Sequence, residues 1–218
     1  IQEHGVLDGN GLDAYMRGLK EGGPTGSGHT TPTVIAELPA TGNSRANIMA
    51  NAWQITQLLA RGIHGLVLCH AENAESEQPF VECVSYPIHK SGVGKGLLKG
   101  RRGSAGQYSA APIWGISPAD YVEVADPWPL NPNGELLLGF KIEKQTSLAN
   151  VESPLAVPGI AFAEWGPGDM GMSYMQPDAH DPPYPDIMNQ ARNKIKSALD
   201  KNGIVFYSSW MDESMTQE

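Results

Sequence analysis

The most informative stretch is Leu136-Leu137-Leu138-Gly139-Phe140-Lys141-Ile142-Glu143, an apolar run that ends on a carboxylate. A second such run is Phe162-Ala163-Glu164-Trp165-Gly166-Pro167-Gly168-Asp169. Each begins like a buried strand and ends in a polar loop. Residues 150–158 between them have room for one crossover helix, which predicts two consecutive parallel strands. Because parallel strands end at the same edge of a sheet, we expect the carboxylates of Glu143 and Asp169 to lie side by side.

Strand-like runs alternate with helical patterns along the chain, which is typical of a parallel sheet covered by helices. The sequence predicts strands at 33–38, 65–70, 136–143, 160–165 and 204–208. It predicts helices at 12–20, 44–61, 74–84, 118–125, 151–156 and 185–202. The Gly-rich stretch 22–28 and the Pro-rich stretches 126–132 and 177–185 are interpreted as loops.

The strand count indicates one α/β domain over residues 1–218, built as a (β/α)8 TIM barrel. The five strands and the fragment 1–4 make six, whereas a closed barrel has eight. The chain opens on what reads as a strand end and closes at 211–218 on what reads as the start of a helix, so we expect a barrel incomplete at both ends. An open doubly wound sheet is disfavoured because no glycine phosphate fingerprint follows the first strand.

The charge and hydropathy of the chain argue against some classes of binding partner. The 218 residues carry a formal net charge of −9, which argues against nucleic acid or an anionic membrane as the main partner. No apolar run approaches the roughly 18 residues of a membrane span, and no basic-then-apolar leader opens the chain. We therefore expect a cytoplasmic protein. Its two cysteines, Cys69 and Cys83, are predicted to be small buried residues rather than a disulfide.

Several short motifs resemble those of the HpcH/HpaI aldolases, a family of metal-dependent class II aldolases that act on pyruvate-type substrates. They follow one another in the family's order and spacing, and the resemblance runs from Glu3 to about Ser208. It is strongest from Gly134 to Met172. The motifs are Glu3-His4-Gly5, Gly65-Leu66-Val67-Leu68-Cys69-His70-Ala71-Glu72, Lys141-Ile142-Glu143, Asn150-Val151, Pro158-Gly159-Ile160 and Gly166-Pro167-Gly168-Asp169.

The resemblance implies roles for the residues that match these motifs. Glu143 and Asp169 correspond to the carboxylates that bind Mg²⁺ or Mn²⁺, ions that prefer oxygen ligands. His4 corresponds to the general base. Gly166 and Gly168 would let backbone amides approach the substrate carboxylate. The structural alternative, in which Glu143 caps a helix and Asp169 closes a turn, stays open.

Other positions are less regular in the family or depart from it. His70 resembles a substrate-contacting histidine of one relative, although many members lack a histidine there. Ile1 stands where the family has an aspartate that orients the catalytic histidine. Glu37 stands where the family has an arginine that meets the substrate's oxo group, and a glutamate cannot steady negative charge there. Glu37 is therefore a candidate substrate-binding position whose chemistry has changed.

Lys141 offers a replacement for the missing arginine. Period-two alternation places Lys141 on the same face of its strand as Glu143, and Glu37 lies two strands away at the mouth of the barrel. We predict that Glu37 reaches Lys141. Either Lys141 supplies the catalytic cation or the two residues form a purely structural ion pair. The sequence favours neither alternative over the other. A Schiff-base role for Lys141 is disfavoured by the metal carboxylate two residues away.

The resemblance implies an enzyme, a carbon–carbon lyase that works through a metal-stabilised enolate of pyruvate or another 2-oxo acid. It also implies an aldehyde acceptor and a homo-oligomer. One alternative is a barrel that keeps the metal carboxylates but acts as a binding or scaffold protein, because the arginine and the dyad aspartate are absent. A second is a CoA-ester lyase of the malyl or citramalyl type, which is disfavoured because no basic adenine-nucleotide site is evident.

Overall fold

A parallel sheet of six short strands forms the centre of this computed structural model, which describes residues 4–207. The strands are β1 Ile35–Leu38, β2 Gly65–Leu68, β3 Pro127–Trp128, β4 Leu136–Ile142, β5 Phe162–Trp165 and β6 Val205–Tyr207. The order is β1-β2-β4-β5-β6, with β3 paired to the start of β4. All five predicted strands are confirmed, with shorter ends. The predicted fragments 1–4 and 211–218 lie outside the described residues, apart from His4.

Helices connect the strands and cover the sheet. In the described part of the chain they are α1 Gly9–Glu21, α2 Arg45–Leu59, α3 Ala74–Val84, α4 Gln107–Trp114, α5 Pro118–Val124, α6 Gln145–Ala149, α7 Glu152–Leu155, α8 Pro167–Ser173 and α9 Asp186–Asn202. The six predicted helices are confirmed, whereas α4, α6 and α8 were not predicted. Across residues 4–207, no helix combines the length and the apolar character that a membrane crossing requires.

The two faces of the sheet differ in chemistry. Along β4, Leu136, Leu138, Phe140 and Ile142 are fully buried in the hydrophobic core. The residues at alternate positions of the strands point to the opposite face of the sheet, as the pleat requires. These residues border an open cavity of about 640 Å³. The cavity lining includes Glu37 of β1, Val67 of β2, Glu164 of β5 and Tyr207 of β6, so this inner face holds both charged and apolar groups.

His64 precedes β2 and is packed beneath an aromatic ring. Its imidazole is stacked on Trp114 with ring centroids 5.1 Å apart, and its Nδ1 accepts the backbone N–H of Val34 at 3.2 Å. Burial, with a smaller contribution from His29, lowers the pKa of His64 from the ordinary 6.5 to about 4. The ring is therefore neutral in the folded protein at neutral pH.

We expect His64 to make the protein less stable in mild acid. Between pH 6.5 and pH 4 the unfolded chain protonates this residue and the folded chain does not, so stability falls as the pH falls through that window. For His64→Gln, we expect the stability lost between pH 7 and pH 5 to be smaller by about 1 kcal/mol, a figure reduced for partial solvent exposure. Urea unfolding at the two pH values measures it. The exposed His180→Gln should leave the loss unchanged, and an equal loss in His64→Gln would contradict the assignment.

A candidate metal centre at the ends of β2, β4 and β5

Glu143 follows β4 directly, and its side chain is only 1% exposed. Its Oε1 accepts the backbone N–H of His70 at 2.6 Å and lies 3.2 Å from His70 Nδ1. The two residues meet because β2 and β4 are parallel neighbours in which the last residue of β2, Leu68, is in register with Phe140, so His70 comes level with the end of β4. A Cβ on Gly166 would lie 2.5 Å from Oε2, so the close approach of this loop to Glu143 requires a glycine.

Asp169 lies in the segment that follows the neighbouring strand β5. Gly166 is the N-cap of α8 and Pro167 is its first residue, which places Asp169 in the first turn of that helix. Its side chain is 31% exposed, and its Oδ2 lies 3.7 Å from Nε2 of the more exposed His4. Gly-Pro-Gly begins a helix here instead of forming an isolated turn, and the role of Asp169 as a metal ligand stays a prediction.

The three side chains form one cluster. A ring nitrogen of His70 and one carboxylate oxygen each of Glu143 and Asp169 all lie within 4.8 Å of one another. Glu143 and Asp169 thus meet at one edge of the sheet, as the strand spacing predicted. A buried carboxylate is costly without a compensating cation. This donor set fits a six-coordinate divalent ion, with an open side toward Asp169 and His4 for further ligands.

Lys141 and Glu37 form an ion pair on the inner face of the sheet. Lys141 Nζ lies 3.0 Å from Glu37 Oε1, with side chains that are 9% and 19% exposed. The predicted contact is therefore confirmed, whereas its catalytic role stays a prediction. Glu164 of β5 is in register with Lys141 of β4, so a second carboxylate lies on the same face beside the lysine. Lys141 is the inward-facing residue next below Glu143, and Glu37 lies one such position lower, level with Gly139 through β2.

Two features beside the site, Gly168 and an additional ion pair, were not fully predicted from the sequence. At Gly168 a Cβ would meet nothing within 4 Å, so packing does not demand a glycine there. The predicted approach of its amide to a substrate stays a prediction. An ion pair between Lys144 and Glu72, with Nζ and Oε1 3.3 Å apart, also lies beside the site and was not predicted. The only signal for it was that Lys144 follows Glu143 and Glu72 comes two residues after His70.

The comparisons with known proteins agree with this architecture. No family model matches the chain. The chain is 29% identical over 150 residues to a 2-keto-3-deoxy-L-rhamnonate aldolase of Klebsiella pneumoniae subsp. pneumoniae, covering 68% of the chain and 48% of that protein. It thus spans about half the length of this curated relative.

Solved structures of several proteins share the fold. The HpcH/HpaI aldolase from Desulfitobacterium hafniense superposes with a TM-score of 0.69 at 19% identity, over 97% of this chain and 68% of that one. Macrophomate synthase superposes with a TM-score of 0.67 at 20% identity, over 94% of this chain and 60% of that one. The predicted resemblance is confirmed: the chain is similar to the HpcH/HpaI aldolases and has their TIM-barrel fold, of which residues 4–207 form an open part.

Proposed function

We propose that the protein is a metal-dependent carbon–carbon lyase of the class II aldolase type. Its substrate would be pyruvate or another 2-oxo acid, with an aldehyde as the second reactant. The observation that carries the proposal is the cluster of His70, Glu143 and Asp169, whose ligand atoms lie within 4.8 Å of one another at the C-terminal edge of the sheet. That edge is where barrel enzymes place their active sites. The sequence similarity to an aldolase supports the same reading.

Glu143 and Asp169 would hold Mg²⁺ or Mn²⁺ through carboxylate oxygens. When bound, the ion supplies Lewis-acid chemistry, which stabilises negative charge on the substrate's carbonyl oxygen. Glu143 is fixed for this role because its Oε1 accepts the His70 N–H and Gly166 lies against its other oxygen. Asp169 remains accessible at the open side. A buried ligand and a partly exposed ligand together would leave room for a substrate with two oxygen donors.

In this proposal His4 would move the proton. Its Nε2 lies 3.7 Å from Asp169 Oδ2 and its side chain is 66% exposed, so the imidazole can reach a substrate bound at Asp169. In cleavage, Nε2 accepts the proton of the substrate's hydroxyl and returns it to the carbon next to the carbonyl. Gly168 lies beside Asp169 in the first turn of α8, where its backbone amide would bind the substrate carboxylate. The Gly166 N–H instead donates to the backbone carbonyl of Ile142 at 3.4 Å. The aspartate expected to orient the histidine is replaced by Ile1, which lies outside the described residues.

Proton exchange at pyruvate tests the proposal. With Mg²⁺ or Mn²⁺ added, we expect the purified protein to exchange the methyl protons of pyruvate for deuterium about 100-fold faster than protein-free solution. Proton NMR follows the loss of the methyl signal, and a sample treated with chelator is the control. If several 2-oxo acids show no exchange with either metal, the lyase proposal is wrong and a binding or scaffold protein is favoured.

A further inference from the structure

We infer that His70 is a third protein ligand of the metal and that the site therefore selects transition-metal ions over Mg²⁺. The inference rests on the metal site of the proposed function but assigns it a nitrogen donor. It concerns which ion is bound, not which reaction follows. His70 then acts on the metal itself rather than only on the substrate.

The distances between the three donors are close to those between ligands of a single ion. Two ligands bound at about 2.1 Å and at right angles to each other lie about 3 Å apart, and two opposite ligands lie about 4.2 Å apart. His70 Nδ1 and Glu143 Oε1 are 3.2 Å apart, which is the spacing of adjacent ligands. The separations within the whole cluster stay below 4.8 Å. Small side-chain movements would therefore bring all three donors onto one octahedral ion.

The backbone holds His70 at this position. Its φ is +52°, in the left-handed region, so the chain turns sharply just after β2. The turn directs the backbone N–H of His70 to Glu143 Oε1, and the imidazole comes to the same oxygen. The ring is 20% exposed, and it borders the open side of the site instead of packing in the core. A ligand fixed by its own backbone is already positioned before an ion arrives.

A nitrogen donor changes the order of metal affinities. Carboxylate and water ligands suit Mg²⁺, whereas imidazole suits Zn²⁺, Ni²⁺ and related ions and adds little for Mg²⁺. Two carboxylates and one imidazole should therefore bind Ni²⁺ more tightly than Mg²⁺ by a margin that the carboxylates alone would not give. Removing the imidazole should reduce that margin.

Pulsed EPR of the Mn²⁺-loaded protein tests the assignment without substrate. We expect the wild type to show ¹⁴N modulation from a coordinated imidazole and His70→Asn to lose it. The matched control is His4→Asn, since His4 is the other imidazole beside Asp169 and should leave the modulation unchanged. Modulation that is absent from the wild type, persists in His70→Asn or disappears only in His4→Asn would overturn the assignment.

Titration calorimetry gives a second, independent readout. We expect the ratio of Ni²⁺ to Mg²⁺ affinity to fall by about 10- to 100-fold in His70→Asn and to stay constant in His4→Asn. A constant ratio in His70→Asn would overturn the preference. Circular dichroism confirms that the variants are folded. Because both readouts use the metal-loaded protein alone, they decide the ligand question even if pyruvate exchange fails.

Discussion

Glu143→Gln is expected to abolish divalent-metal binding and pyruvate proton exchange together, each by about 100-fold or more. Changes in the groups around metal ligands typically cost 10- to 100-fold in affinity or activity, and loss of a ligand's charge should cost at least as much. Glutamine keeps the size of the side chain, and its amide oxygen can still accept the His70 N–H. The fold should therefore survive. Mn²⁺ affinity by calorimetry and exchange by NMR measure the two effects.

The control for Glu143→Gln is Asp178→Asn, which removes one negative charge from an exposed residue after α8. We expect it to leave both metal affinity and exchange unchanged, because its carboxylate is outside the cluster of ligand atoms. Mn²⁺ affinity in Glu143→Gln within about threefold of the wild type would rule out Glu143 as a ligand. Loss of exchange with metal affinity kept would instead assign Glu143 a role toward the substrate.

The placement of Glu143 was predictable because it depends on local pattern. An apolar run of strand length ends at Ile142, so the first polar residue after it had to lie at the sheet edge. The start of α8 was missed because Gly-Pro-Gly reads as a turn. Proline is nevertheless well tolerated as the first residue of a helix, where its missing N–H has no partner to lose. Asp169 was thus placed at the correct edge but in the wrong kind of segment.

The contact between His70 and Glu143 could not be read from the sequence. It requires β2 to pair with β4 while β3 lies off that path, and no local pattern specifies strand order. It also requires a left-handed backbone conformation at His70. That conformation is more typical of glycine or asparagine than of histidine. The two-residue strand β3, Pro127–Trp128, was not predicted because it lies in a Pro-rich stretch that is typical of a loop. The Lys141–Glu37 contact was predicted from period-two alternation combined with the assumption that Glu37 lies two strands away, which the strand order β1-β2-β4 bears out.

Lys141→Met is expected to lower both stability and exchange. Methionine keeps much of the side-chain volume but leaves the carboxylate of Glu37 without the ammonium 3.0 Å away, on a face that also holds Glu164. For a partly accessible pair, we expect the free energy of unfolding to fall by about 2 kcal/mol. If Lys141 replaces the missing arginine, exchange falls by about 100-fold, the typical effect of removing one charge-stabilising donor. Urea unfolding and NMR exchange measure these separately.

The double variant Glu37→Gln/Lys141→Met separates the structural role from the catalytic one. With both charges of the pair removed, Glu37 no longer carries an uncompensated charge, although Glu164 stays on this face, so at least half of the lost stability should return. Exchange should stay low, because neutralising Glu37 does not restore a cation beside the substrate. If exchange instead recovers with stability, or if Lys141→Met keeps exchange while losing stability, Lys141 is a structural partner of Glu37. The missing arginine would then have no replacement at Lys141, and charge stabilisation would have to come from the metal and the backbone amides.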